Sequence, residues 1–132
     1  MDSAHKTALP NKNGLHGMAR ICAAAGYSKA GLKHAWQGEA AFREEVLLLA
    51  PLLPAAFWLG QTATERALLL VSCLAVLVVE LLNSAIEAVV DLASPERHVL
   101  AGRAKDMGSA AVFIALIQVI VVWGLLIYQR FS

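Results

Sequence analysis

The chain has 132 residues, of which 58% are apolar and 16% charged, with a net charge of +1. That length bounds a single domain, and the apolar excess suits a membrane protein better than a soluble one. The near-neutral balance and the lack of a basic run give nucleic acid no footing as a partner. The two cysteines, Cys22 and Cys73, sit in different settings and read as small packing residues rather than a disulfide.

Met1 to Gly17 is polar, carries Pro10, Asn11, Asn13, Gly14 and Gly17, and has no apolar periodicity. It reads as a disordered tail ahead of a membrane domain at 18–132. From Met18 to Glu45 the pattern turns amphipathic. Leu32 and Trp36 share one helical face and Lys29 and Lys33 a neighbouring one, as in a surface helix at headgroup level. Gly26 and Gly31 predict a break near Tyr27–Ser28. A short soluble subdomain is the alternative reading of this segment. No long apolar stretch occurs in the first 45 residues, so no secretory signal is expected.

The first apolar block, Val46–Gly60, reaches spanning length, at about 41–60, only if Ala40–Phe42 lie at the interface. Pro51 and Pro54 kink or shorten it, and a re-entrant block with two spans is the alternative. Thr62 or Thr64 is placed to cap the second span, about 66–93. Ser94-Pro95-Glu96 looks like the start of a short cytoplasmic helix. Gly102 and Gly108 bracket the polar patch of Arg103, Lys105 and Asp106 before a third span at about 109–129. Trp58, Trp123 and Tyr128 fall towards the outer ends, where aromatic belts form. Basic residues gather before the first block and between the second and third. The N-terminus is therefore expected inside and the C-terminus outside. The fold class is all-α membrane protein, with an N-terminal amphipathic surface helix and three transmembrane helices.

The chemistry concentrates in Glu80-Leu-Leu-Asn83-Ser84-Ala-Ile-Glu87-Ala-Val-Val-Asp91. At 100° per residue, Glu80, Ser84, Glu87 and Asp91 fall within an arc of roughly 60°, with Asn83 at its border. Carboxylates in hydrocarbon cost several kcal/mol, so they face a protein interior, a cavity or a cation. Three in one stripe repel unless something positive intervenes, which points to a metal-assisted active site or an ion path. Glu80, the deepest, is placed as a general base or as a structural acid paired across helices. Glu87 is better placed for a divalent ion and a phosphate. Asn83 and Ser84 either position a nucleophile or bond between helices. Glu39 either pairs with Arg43 at i, i+4 or adds an oxygen ligand beside Glu87.

Lys105, Asp106 and Ser109 meet where the third span begins. Lys105 suits phosphate as a point charge and Asp106 suits ribose or adenine, the alternative being an interfacial anchor. Gly26-Tyr-Ser-Lys-Ala-Gly31-Leu-Lys33 only superficially resembles a phosphate-binding loop, because Leu32 stands where that loop needs lysine. His5, His16, His34 and His98 lack metal-ligand spacing and read as surface residues.

Ala24-Ala25-Gly-Tyr-Ser28, Glu39-Ala-Ala-Phe42-Arg43, the Glu80–Asp91 run and Gly102-Arg-Ala-Lys-Asp-Met-Gly-Ser-Ala-Ala111 together closely resemble the small prokaryotic integral-membrane diacylglycerol kinases. The resemblance covers about Met18 to Phe131. It implies a homotrimer of three-span protomers in the cell inner membrane. Each would transfer the γ-phosphoryl of MgATP to diacylglycerol at the cytoplasmic face, yielding phosphatidic acid. By the same resemblance the general base matches Glu80, with Asn83 at the catalytic centre, and the Mg²⁺ carboxylates match Glu39 and Glu87. ATP contacts match Arg20, Tyr27, Glu39, Glu87, Glu96, His98, Lys105 and Asp106. The lipid site matches Arg20, Ala24, Ala25, Gly26, Tyr27, Ser28, Lys33, Trp36, Phe42, Arg43 and Trp58, together with Glu80 and Ser109.

The departures are local. Pro95, Arg97 and Val99 alter the stretch that approaches adenine, and Pro51 and Pro54 reshape the first span. Three rivals stand beside this reading: an undecaprenol kinase of the same family, a proton or cation conduit, and a non-catalytic assembly subunit. The conduit is poorly furnished, because Gln118 is the lone internal polar residue of the third span.

Overall fold

A computed structural model describes residues 16–132, and residues 1–15, most of the expected tail and His5 among them, lie outside the described residues. The helices are α1 (Met18–Gly38), α2 (Ala40–Leu49), α3 (Leu52–Leu59), α4 (Ala63–Ala93) and α5 (Val99–Phe131), and no strand occurs among the described residues. The chain divides at His34–Ala35 into two compact units.

The N-terminal unit consists of the body of α1. The expected break at Tyr27–Ser28 is absent, and the helix runs unbroken from Met18 to Gly38. A helical glycine costs only about 1 kcal/mol relative to alanine, and the flanking Ala23–Ala25 and Ala30 are strong helix formers. The Ser28 hydroxyl donates to the Ala24 carbonyl at 3.0 Å instead of interrupting the turn. Ile21 and Leu32 remain exposed, so the helix keeps its uncovered apolar surface.

In the second unit, α2 and α3 form a kinked run. Ala50 and Pro51 both keep right-handed helical dihedrals (φ/ψ −53/−45° and −69/−20°), so the chain bends without reversing. Pro51 supplies no amide donor, and Pro54 lies in the first turn of α3, where the N–H would be unpaired in any case. Residues 40–59 therefore cover about 30 Å as a bent helix. Thr62, rather than Thr64, caps α4: its Oγ1 accepts from the Glu65 amide at 3.2 Å, and the Glu65 carboxylate accepts from the Gln61 amide at 2.7 Å.

The paired long helices α4 and α5 are each long and apolar enough to cross a bilayer. The short cytoplasmic helix expected after Ser94 does not form. Ser94 ends α4, residues 94–98 are irregular, and α5 starts at Val99 behind His98 as its cap. The Ser94 hydroxyl donates to the Glu96 carbonyl at 2.9 Å, a local bond that competes with helix. A single core joins Leu49, Ala56, Leu59, Leu69, Cys73, Val76, Ala115, Val119 and Trp123. Trp123 was expected in the aromatic belt but lies in this core, because Ala115, Val119 and Trp123 recur at i, i+4, i+8 on the face of α5 turned to the core. Trp58 and Tyr128 stay exposed, and the Trp58 ring sits 6.4 Å from that of Phe131.

The α3–α4 corner is tight. Arg66 Nε donates to the Gly60 carbonyl at 2.9 Å. A Cβ at Gly60 would stand 2.6 Å from Arg66 Cγ and 3.0 Å from both the Ala56 carbonyl and the Arg66 amide. Two of those atoms are backbone and cannot rotate away. Gly60→Ala should therefore lose about 1–3 kcal/mol, the usual cost of overpacking, seen as a lower thermal midpoint in detergent. An unchanged midpoint would contradict this packing.

Candidate active site

The acidic face of α4 grades from core to surface. Glu80 is 4% exposed, Ser84 and Glu87 are half-buried and Asp91 is exposed, a descent of about 16 Å along the axis. A buried carboxylate without compensation is expensive, and the neighbours of Glu80 do not supply it. Glu87 and Glu39 lie within electrostatic reach of it, as does Glu45. Among the described residues the single ion pair is Lys105–Asp91, so none of these four acids has a basic partner. Asn83 Nδ2 donates to Glu87 Oε1 at 3.2 Å, while Asn83 Oδ1 is buried with no partner. The carboxamide thus holds Glu87 with one end and turns the other, unpartnered, towards Gly108 of α5.

Glu39 reaches this face from α2, where it is the residue preceding the first turn. Its anticipated structural partner is engaged elsewhere: Arg43 Nη1 donates to the Trp36 and Gln37 carbonyls at 2.8 and 3.3 Å, closing the end of α1. The half-buried Glu39 carboxylate is therefore left to other partners. No three Asp, Glu, His or Cys side chains among the described residues converge closely enough to hold a metal by themselves.

At the junction of α4 and α5 lies a cleft of about 510 Å³, lined by Asp91, Ser94, Glu96, His98, Gly102 and Lys105 among others. That volume is within the usual range for small-molecule sites. His98 Nδ1 accepts from the Leu100 amide at 3.1 Å and so caps α5. The N-terminal end of this helix, which favours anions, opens on the cleft. Lys105 Nζ lies 2.6 Å from Asp91 Oδ1, with both side chains well exposed. An exposed, solvent-screened pair of this kind contributes little, so Lys105 can change partners at little cost.

The anticipated residues thus separate into groups. Glu39, Glu80, Asn83 and Glu87 gather around the acidic face, and Glu96, His98 and Lys105 around the cleft. Asp106 and Ser109 are exposed on α5 outside the cleft lining. Trp36 and Trp58 are exposed, whereas Phe42 is packed in the interior. Arg20, Ala24, Ala25, Gly26, Tyr27, Ser28 and Lys33 all belong to α1, where Arg20 and Ala24 share a shallow concavity with Gly17 and Ile21.

Two residues were missed in the sequence. Glu45 is half-buried, with Oε2 enclosed and unpartnered. Its signal was legible, since Phe42, Glu45 and Leu49 stand at i, i+3, i+7 on the inward face of α2. Gly108 is the other: it is buried where α5 passes Asn83, and nothing in its local sequence shows that approach.

The described residues are all-helical, with two helices long and apolar enough to cross a membrane, and they present carboxylates, an amide and a lysine along α4 and the start of α5. The chain belongs to the prokaryotic diacylglycerol kinase family, which it matches over residues 26–127. It is 50% identical over 120 residues to a diacylglycerol kinase of Escherichia coli K12, covering 91% of this chain and 98% of that protein. A diacylglycerol kinase of Pseudomonas aeruginosa is 56% identical over 110 residues, 83% of this chain and 89% of the relative. One from Helicobacter pylori is 45% identical over 108 residues, 82% of this chain and 84% of the relative.

Proposed function

We propose that the protein is a membrane-embedded diacylglycerol kinase that moves the γ-phosphoryl of MgATP to the lipid hydroxyl, releasing ADP and phosphatidic acid for phospholipid recycling. Membership of the family carries the reaction. The observation that carries the mechanism is the buried Glu80, flanked by acids with no basic partner. The undecaprenol alternative is not favoured, since relatives at 45–56% identity are named for diacylglycerol.

Phosphoryl transfer asks little covalent chemistry of a protein; it needs positioning, charge neutralisation and a place for one proton. Glu80 would accept the hydroxyl proton as the oxygen bonds to the γ-phosphorus and the bond to the departing ADP oxygen breaks. Its depth matches a hydroxyl that arrives on a lipid. Asn83 holds Glu87 in orientation, and Lys105 would leave Asp91 for a phosphate oxygen as nucleotide fills the cleft. Glu96 and His98 border the same cleft, and Asp106 and Ser109 would complete the site from a neighbouring chain.

An oxygen-only donor set with surplus negative charge suits a hard divalent cation. Glu39 and Glu87 would hold Mg²⁺, which when bound offsets the charge on the phosphate oxygens. The kinked α2–α3 run, at about 30 Å, matches bilayer thickness and supports a third span. This arrangement would place the N-terminus in the cytoplasm and the site at the cytoplasmic face of the inner membrane. Much of the apolar surface of α4 and α5 is uncovered in one protomer, as association into a homotrimer within lipid would require.

Two outcomes follow. Purified protein in mixed micelles should transfer label from γ-labelled ATP to diacylglycerol, and Glu80→Gln should lower turnover at least ~10²-fold, the scale of a lost general base. Near-normal turnover in the folded variant would make Glu80 a structural acid. If Asp106 serves a site whose Glu80 lies on another chain, then inactive Glu80→Gln and Asp106→Ala should regain partial activity when mixed and reassembled. Some trimers would then contain one wholly wild-type interface. No recovery, with subunit exchange confirmed by differently tagged chains, would confine the site to one protomer.

A further inference from the structure

We propose that Gly108 is a positioning residue for phosphoryl transfer: the bare face it presents on α5 is the space that the Asn83 carboxamide occupies while it holds Glu87. The inference rests on the kinase reading above and extends it to a residue that touches neither substrate. A Cβ built on Gly108 would overlap Asn83 Oδ1 and stand 3.2 Å from Asn83 Cγ and 3.9 Å from Asn83 Cβ. These three nearest atoms all belong to one side chain. No backbone atom of α4 is among them, in contrast to Gly60, where two of the three are backbone. At Gly102 and Gly124, on the same helix, an added Cβ meets nothing within 4 Å.

The carboxamide has little freedom in that space. The Glu87 carboxylate only accepts, so the end of Asn83 that faces it must be Nδ2, as the 3.2 Å contact has it. Oδ1 is then turned to Gly108, buried and without a partner. A methyl group at 108 strikes the movable end of a side chain, not a helix. The helices can stay in place while the amide rotates, and rotation withdraws Nδ2 from Glu87. That bond is the one hydrogen bond to the Glu87 side chain among the described residues. Its loss would free a carboxylate whose orientation the reaction uses, and support groups of this kind typically matter by 10–100-fold.

Wild type, Gly108→Ala, Asn83→Ala and the double variant, assembled in detergent, distinguish positioning from helix packing. Gly108→Ala should lower kcat ~10–100-fold and raise the Mg²⁺ concentration for half-maximal activity, with its thermal midpoint close to that of wild type. Asn83→Ala should show losses of the same kind. The double variant should be no worse than Asn83→Ala, because truncating Asn83 removes what the new methyl strikes. Should Gly108→Ala fail to assemble, a double variant that assembles with Asn83→Ala activity still identifies Asn83 as the obstructing group. Wild-type activity in Gly108→Ala, independent losses that add in the double variant, or failure of both to assemble would each overturn the proposal. Wild-type activity in Asn83→Ala would remove Asn83 and Gly108 together and leave the role of Glu80 standing. Absent lipid phosphorylation by the wild type would instead overturn the kinase reading itself.

Discussion

Glu80 is a carboxylate buried in the middle of a helix long enough to cross a membrane, and most of the architecture answers that one constraint. Such a group cannot face lipid without a cost of several kcal/mol. α4 must therefore turn the Glu80 stripe towards protein, and it does so by packing that side against α2, α3 and α5. The opposite side, with Val71, Leu74, Val78 and Leu82, is left uncovered and apolar. A helix divided in this way has one rotation that suits both lipid and interior, which specifies the packing of α5 as well. Burial does not by itself neutralise the charge. Among the described residues no basic side chain pairs with it or with the other acids nearby.

The helical rise converts that stripe into a passage from interior to surface. Glu80 lies in the packed part of the bundle, Glu87 two turns nearer the helix end and Asp91 beside Lys105 at the cleft. A lipid hydroxyl and a soluble nucleotide come from different phases and must meet at the boundary between them. In the proposed mechanism, a graded row of polar groups on one rigid helix would provide that meeting place without a separate nucleotide domain. The irregular stretch at 94–98 and the His98 cap then set the width of the cleft, through local hydrogen bonds rather than a core.

Much of this was legible in residue order. The period of Glu80, Ser84, Glu87 and Asp91 placed these side chains on one face of α4, and the apolar runs located the long helices α4 and α5 to within a few residues or, at the start of α5, about ten. The misses have separate physical causes. Gly26 and Gly31 suggested a break in α1, but alanine-rich flanks outweigh two isolated glycines. Pro95 suggested a helix start, but Ser94 and His98 bonded locally and delayed it to Val99. Trp123 carried the chemistry of a belt residue, and only its register on α5 placed it inside. Glu45 stood on an apolar face in plain view, whereas the approach of Gly108 to Asn83 depends on how two distant segments pack.

Acids from α2 and α4 that form one cation-dependent centre, as proposed, would reveal it most directly in metal dependence. The Mg²⁺ activation curve for diacylglycerol phosphorylation should shift to higher concentration in Glu39→Ala and in Glu87→Ala. The double variant should lose much less than the product of the two, because both carboxylates would serve a single ion. Curves unmoved along the Mg²⁺ axis, with independent losses that multiply fully, would contradict a shared centre.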